Sequence, residues 1–173
     1  MLMEMAVCWL PELEYCDDLS QWAEYEEMIY DIFIDDFITD VPQFKGKDIK
    51  IREYPRIDGK EEAFYHVTCK DYFKTMERNP DLRRCERIRW VRAFIENYNC
   101  NPKLCEDCEG VKAWCETYKG RRRIHFLLEE EKYMVVIEKR TNYYQLITAF
   151  YFDYDNALEK KLKHYEMYKN DPF

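Results

Sequence analysis

The order of hydrophobic and polar positions along the chain predicts helices near both ends and in the middle. Apolar residues recur every three or four positions between residues 22 and 37, and acidic residues fill the opposite face. A second apolar stripe runs through residues 82–95, after an Asn79-Pro80-Asp81 segment that is typical of a helix start. Residues 157–169 predict a charged terminal helix.

Strands are predicted in the remaining segments. Residues 44–55 and 62–69 have strand-like composition and flank an Asp58-Gly59 turn, which indicates a β-hairpin. Three further strand candidates at 123–128, 133–138 and 143–152 are separated by short polar turns and predict an antiparallel meander. The order of N-terminal helix, hairpin, arginine-rich helix, meander and C-terminal helix predicts an α+β fold. We expect an acidic helical segment at 1–42 and one domain at 43–173, with a cysteine-rich loop at 99–118.

Charge is distributed unevenly along the chain. Residues 1–40 contain twelve Asp and Glu and no Lys or Arg, whereas the stretch from Arg78 to Arg92 carries six arginines. Arginine presents a rigid donor fork that suits phosphate, so the second stretch is a candidate phosphate-binding element. The alternative is that the two stretches neutralise each other within one fold.

Composition limits the class of protein. Aromatic residues make up 17% of the chain, which contains only four Gly, and this favours a folded domain with a substantial core. No apolar stretch approaches twenty residues and the N-terminus lacks a basic region, so we expect a soluble cytoplasmic protein with no membrane partner. Its eight cysteines are then expected to be thiols or metal ligands. Motifs of kinases, dehydrogenases and zinc proteases are absent.

Four side chains from three segments are candidates for chemistry. His66 lies in a predicted strand and titrates near neutral pH, so it could transfer a proton; the alternative is a structural histidine. Arg84 and Arg87 could stabilise charge on a phosphate, or could simply form a solvated face. Thr148, in the last strand, could bind phosphate, although threonine is common in strands.

Two further groups are weaker candidates. Cys100, Cys105, Cys108 and Cys115 could close a structural zinc site, because the inner pair has ligand spacing; the alternative is four reduced thiols. His125 and the basic run 119–123 could extend a phosphate-binding track, although basic turns often serve only solubility.

Three blocks, at residues 64–68, 81–90 and 133–151, resemble a phage-associated branch of the barnase–EndoU–colicin–RelE-like nuclease superfamily. In that branch a histidine-bearing strand precedes an arginine-bearing helix, and a late strand ends in a Thr-Ala-aromatic signature. The resemblance covers about residues 44–165 and leaves the acidic N-terminal helix and the cysteine cluster outside its pattern.

The resemblance implies a metal-independent, toxin-like endoribonuclease in which the ribose 2′-OH attacks its own phosphate. The family's residues correspond to His66 as base or acid, to Arg84 and Arg87 as an anion clamp, and to Thr148 as a phosphate donor. Further contacts to RNA are expected from a second set: Arg83, Arg89, His125, Tyr143, Tyr144 and Tyr151. No cofactor is expected for catalysis, and the expected partners are RNA and a cognate inhibitor or antitoxin protein.

Two other functions fit the sequence. A non-catalytic interaction or anti-defence protein could use the acidic helix to mimic nucleic acid. A zinc-knuckle module could bind nucleic acid without cleaving it. A separate hypothesis is that residues 1–40 fold over the arginine helix and compete with phosphate, the alternative being a plain packing helix.

Overall fold

The computed structural model describes residues 9–72, 78–100 and 109–173. Its helices are α1 (Trp22–Ile34), α2 (Glu62–Thr68), α3 (Leu82–Glu86), α4 (Trp90–Glu96) and α5 (Asp155–Tyr168). Its strands are β1 (Gln43–Phe44), β2 (Lys47–Lys50), β3 (Lys112–Tyr118), β4 (Arg121–Leu128), β5 (Tyr133–Lys139) and β6 (Tyr144–Tyr151). The predicted α+β class is confirmed, and the order of helices and strands agrees with it.

One mixed sheet organises the fold, with strand order β1-β2-β6-β5-β4-β3. The predicted meander forms β4, β5 and β6, and β3 extends it in antiparallel fashion. The pairing of β2 with β6 is parallel and involves only Ile49 with Tyr144 and Lys50 with Gln145. Most of the outer edge of β6 therefore lies beyond the end of β2, and α2 packs against this part of the strand.

Helices cover both faces of the sheet. On one face, apolar residues of α1, α2, α3 and α4 form the main core with the sheet. On the other face, Leu158 and Leu162 of α5 pack with Trp114 and Leu127 in a smaller cluster. In the residues that the structure describes, no helix is long and apolar enough to cross a membrane.

The N-terminal helix belongs to the main core. Tyr25, Ile29, Ile32 and Phe33 of α1 are buried in it, and Phe37 continues the stripe in the π-helical turn Asp35–Thr39. The amphipathic spacing predicted for residues 22–37 is confirmed. This packing agrees with the simpler of the two expectations for the acidic segment, a helix that stabilises the fold by burying its apolar face.

The segment around His66 is helical, so the predicted strand at 62–69 is wrong. Its β-branched and aromatic residues favour a strand, but Phe64, Tyr65 and Val67 are all buried, and a helix buried on nearly every side loses the usual amphipathic signal. Thr68 also stabilises the helix, because its hydroxyl donates to the Phe64 carbonyl at 2.8 Å. The actual hairpin is β1–β2, and the Asp58-Gly59 turn instead closes a single bridge between Ile57 and Lys60.

The predicted arginine helix is divided into two. Asp81 is the N-cap of α3, its carboxylate accepting from the backbone of Arg83 and Arg84, and residues 87–89 form a turn before α4 begins. The cap therefore lies two residues after the predicted Asn79. A further correction concerns residues 112–118, which form β3 instead of part of a cysteine-rich loop.

Candidate functional site

His66 lies near the end of α2 and is paired with a glutamate one turn earlier. Its Nε2 is 3.2 Å from Oε1 of Glu62, whose side chain is only 4% exposed. The other carboxylate oxygen of Glu62 is 3.0 Å from Nε of Arg52, which extends into solvent. With Nε2–H donated to Glu62, Nδ1 of the imidazole carries the free lone pair. The Glu62–His66 pair therefore has the arrangement of an oriented proton acceptor.

The surroundings of His66 keep it neutral. Burial lowers the pKa of His66, and the charges of Arg52 and Arg84 lower it further, while Glu62 opposes both effects. The side chain remains 18% exposed, and its ring lies edge-to-face with Tyr72 at 5.0 Å. A neutral, partly accessible imidazole can accept a proton at neutral pH.

Arg84 and Thr148 meet His66 at its backbone carbonyl. The Thr148 hydroxyl donates to this oxygen at 2.9 Å, and Nη1 of Arg84 donates to it at 3.4 Å and to the Cys69 carbonyl at 2.9 Å. Three of the four predicted catalytic residues, from α2, α3 and β6, thus lie together. In this arrangement Arg84 and Thr148 hold the end of α2 in place, a role that the sequence did not predict.

The exposed Arg83 and the largely buried Arg87 lie next to this group, and Arg87 donates to the Arg83 carbonyl at 2.9 Å. Their guanidinium carbons lie 4.6 Å and 4.7 Å from the centre of the Tyr151 ring. Arg83 is also 3.6 Å from Asp153, beside a polar cavity of about 510 Å³ that Lys70 shares. His66 is not among the residues that line this cavity. The Tyr151 ring is therefore occupied by two guanidinium groups, which favours a cation–π role over stacking on a base.

Two further arginines of the run face the acidic segment, whereas Arg78 pairs with Asp58. Arg89 forms an ion pair with Glu14 at 2.6 Å, and Arg92 forms one with Asp40 at 3.0 Å. Neutralisation between the acidic and basic stretches is therefore real for these two residues. Arg89 does not join the group around His66. A substrate contact is therefore less well supported for Arg89 than for Arg83.

His125 lies on the opposite face of the sheet, under α5. It is stacked on Trp114 with ring centres 5.0 Å apart, and its Nε2 is 3.2 Å from Glu116. Lys161 and His164 of α5 contact the same carboxylate. Burial and the charge of Lys161 lower the pKa of His125 to about 4, so it is neutral and packed instead of being part of a phosphate track.

Tyr144, the first residue of β6, and Tyr143, which directly precedes it, have different environments. Tyr144 is buried against Phe44, with ring centres 5.1 Å apart, so its predicted role in stacking a base is wrong. Tyr143 is half-buried, and the Lys50 ammonium lies 5.0 Å from the centre of its ring. Alternation along the strand explains the difference, because adjacent residues point to opposite faces.

The cysteine cluster is only partly within the described residues. Cys105 and Cys108 lie outside them, so the structural zinc site stays a prediction. Cys115 is a buried residue of β3 whose Sγ accepts from Nε of Arg122 at 3.3 Å. Within 9–72, 78–100 and 109–173, no group of three or more His, Cys, Asp or Glu is arranged to hold a metal ion.

Sequence reasoning missed Glu62, Arg52 and Tyr72 as neighbours of His66. Glu62 precedes His66 by four residues, the spacing that places two side chains on one face of a helix. This four-residue spacing brings two side chains together only in a helix, so a strand prediction for the segment hides the pair. Arg52 and Tyr72 are brought in by tertiary packing, and no local pattern identifies them.

Comparison with known proteins gives no relative: no family model, curated protein or solved structure matches this chain.

Proposed function

We propose that the protein is an endoribonuclease that cleaves RNA without a metal ion, through attack of the ribose 2′-OH on the adjacent phosphate. The observation that carries the proposal is the meeting of His66, Arg84 and Thr148, which come from α2, α3 and β6, at the His66 carbonyl. The Glu62–His66 pair adds an oriented base. The proposed partner is RNA in the cytoplasm, with a cognate inhibitor as a further partner.

In the proposed reaction Nδ1 of His66 takes the proton of the 2′-OH while its Nε2–H donates to Glu62. The 2′-oxygen then forms a bond to phosphorus, and the bond from phosphorus to the 5′-oxygen breaks. The products are a 2′,3′-cyclic phosphate and a 5′-hydroxyl, whose proton comes from water. The remaining N–H groups of Arg84, together with Arg83 and Arg87, stabilise the charge that develops on the phosphate oxygens.

The cationic groups near His66 fit a phosphate-bearing substrate. The segments next to α2 carry three cations that extend into solvent: Arg52, Arg83 and Lys70. Only RNA supplies the 2′-OH nucleophile, so we expect DNA to be bound through its phosphates but left intact.

The proposal is tested by incubating the purified full-length chain with labelled RNA, and with DNA of the same sequence, in the presence of EDTA. Fragments ending in cyclic phosphate are expected from RNA alone. His66→Ala is expected to abolish them in a chain that still folds cooperatively, with a lower melting temperature because the largely buried imidazole and its contact with Glu62 are lost. Cleavage by His66→Ala at the wild-type rate would remove His66 from the mechanism.

A second candidate function is protein interaction through the acidic helix. Glu24, Glu27, Asp31 and Asp35 line a groove of about 720 Å³ whose floor includes Met28. Such a surface suits a basic partner. A wild-type chain that neither binds nor cleaves RNA, but binds a basic protein and loses that binding when Glu24, Glu27 and Asp31 are changed to Gln, would support this alternative.

A further inference from the structure

A row of polar side chains crosses five strands of the sheet. Glu116 lies opposite Arg123, Arg123 opposite Glu138, Glu138 opposite Gln145, and Gln145 opposite Lys50. Directly paired residues point to the same face of a sheet, so these groups form one line. The contacts of Glu116 with α5 place the line on the face that α5 covers only in part.

The centre of the row is a carboxylate surrounded by three guanidinium groups. Glu138 is 3% exposed; one oxygen is 2.9 Å from Arg140 and 3.5 Å from Arg121, and the other is 2.9 Å from Arg123. A buried carboxylate needs compensating charge, which one or two arginines supply. Three guanidiniums carry about fifteen N–H donors, whereas a carboxylate accepts about four hydrogen bonds. Arg140 also donates to Gln145, and most of the other donors remain for another acceptor.

Some of the unused donors are accessible and lie beside aromatic rings, although the side chains of Arg123 and Arg140 are only 26% and 28% exposed. The side chain of Arg121 is 52% exposed, and Tyr118, directly opposite it in the β3–β4 ladder, is 47% exposed. The Arg123 guanidinium lies 4.1 Å from the centre of the Tyr118 ring, and Lys50 lies over Tyr143 at the other end of the row. Exposed cations that can follow a phosphodiester backbone, held beside partly exposed rings, suit a single-stranded nucleic acid.

We propose that this arginine surface, defined by Arg121, Arg123 and Arg140 around Glu138 with Lys50 and Tyr118, binds the phosphodiester backbone of single-stranded RNA. The buried Glu138 fixes the guanidiniums in place before the strand arrives, which lowers the entropy lost on binding.

The choice of RNA rests on the proposed function, and the position of the surface is consistent with it. Gln145 of the row and Thr148 at the His66 site belong to the same strand and are about 10 Å apart. A β-bulge between them places both on one face, because they pair with Glu138 and Val136 of β5. A strand held at His66 can therefore continue along the row. Arg122, between Arg121 and Arg123, points to the other face and contacts Cys115.

The test measures binding of a fluorescent single-stranded RNA by anisotropy over a range of salt concentrations. The full chain carries His66→Ala so that the RNA stays intact. Arg121→Ala is expected to weaken binding about threefold to tenfold and to reduce the slope of log K against log salt by about 1, the effect of losing one phosphate contact. Tyr118→Leu is expected to weaken binding without changing the slope.

Lys139→Ala is the matched control. Lys139 carries the same charge as Arg121. It directly follows Glu138 in β5, so it points to the opposite face of the sheet. Its removal is expected to change affinity less than twofold. Equal effects of Arg121→Ala and Lys139→Ala, or an unchanged salt slope in Arg121→Ala, would refute the arginine surface. The preference for single-stranded RNA would also be refuted if duplex DNA of the same length bound with equal affinity and lost the same affinity in Arg121→Ala.

Failure of this proposal can be told apart from failure of the proposed function. If the wild-type chain does not cleave RNA but binds it in a way that depends on Arg121, the arginine surface is supported and the nuclease proposal is refuted. Cleavage that requires His66, with normal binding by Arg121→Ala, retains the nuclease and rejects the arginine surface.

Discussion

The hydroxyl of Thr148 donates a hydrogen bond of 2.9 Å to the backbone carbonyl of His66. This bond joins the free edge of β6 to the helix that carries the candidate base, and it fixes where that helix ends. A residue selected from the sequence as a phosphate donor is therefore engaged in positioning the histidine.

Thr148→Val tests this positioning role. The variant keeps the shape of the side chain but removes the donor, so the carbonyl retains only the longer bond from Arg84. We expect a loss of about 1 kcal/mol in the free energy of unfolding, measured in urea, and a larger relative loss in the RNA cleavage rate. Thr148→Ser keeps the hydroxyl and is expected to retain most of both. A fully active Thr148→Val would contradict the role.

The pH dependence of cleavage follows from the environment of His66. Burial lowers its pKa below the ordinary value of 6.5, so the neutral form persists on the acid side of that value. The rate constant is expected to be flat at neutral pH and to fall on acidification with an apparent pKa below 6.5. Arg52→Ala removes one of the charges that lower this pKa, so the fall should move to higher pH. A profile with its acid limb above pH 7 would be inconsistent with His66 as the base.

The contribution of α1 to stability is tested by a pair of substitutions on one helix. Phe33 is fully buried in the main core, and Met28 is 39% exposed on the acidic face. Phe33→Ala is expected to lower the free energy of unfolding by about 3–5 kcal/mol, and Met28→Ala by less than about 0.5 kcal/mol. The two values come from chemical denaturation. Comparable losses would mean that the helix does not pack as described.

For the same reason, deleting residues 1–40 is not a clean test of whether the acidic segment competes with RNA. The deletion removes Tyr25, Ile29, Ile32 and Phe33 together with the acidic groups. Neutralising Glu14, the partner of Arg89, leaves the core intact and is the better experiment. We expect little effect on RNA binding, because Arg83 and Arg87 are not among the arginines that the acidic segment pairs.

Acid should destabilise the contact between α5 and the sheet. The pKa of His125 is about 4 in the folded chain and near 6.5 when unfolded, so between these values the unfolded chain binds more protons. Burial alone would raise the pKa of Glu116, but its cationic neighbours hold it below the ordinary value, which acts in the same direction.

Stability is therefore expected to decrease as pH falls from about 6.5 towards 4. His125→Phe, which keeps a ring stacked on Trp114, should show a shallower decrease, and His164→Phe serves as a more exposed comparison. The measurement is the midpoint of urea unfolding at several pH values. A variant as sensitive to acid as the wild type would exclude His125 as the group responsible.

The sequence identified elements that are long and strongly periodic. The stripe from Trp22 to Phe37 and the terminal helix could be predicted, because one face of each meets a core and the other meets water. The three strands of the meander could be predicted from apolar, β-rich runs between polar turns, although both faces of β5 are buried. The helix of His66 could not, since burial on nearly every side removes the periodic signal. The parallel pairing of Lys50 with Gln145 joins residues 95 positions apart, and no local pattern specifies it.

The candidate site shows the same division. The sequence selected His66, Arg84 and Thr148, and the structure brings them together, yet their hydrogen-bond partners are backbone atoms that have no signature in the side-chain sequence. In the sequence, Arg121 and Arg123 stand out only as part of a basic run. Their shared partner Glu138 lies fifteen residues beyond Arg123 and is found only through the pairing of β4 with β5.

The short pairing of β2 with β6 has a consequence for solubility as well as for the site. A strand whose outer edge is free can recruit a strand from another molecule and start aggregation. Helix α2 occupies that position along β6, so it shields the edge while it carries His66. Variants that detach this helix should therefore form intermolecular β-structure, and some losses of function at this end of the protein will come from precipitation instead of altered chemistry.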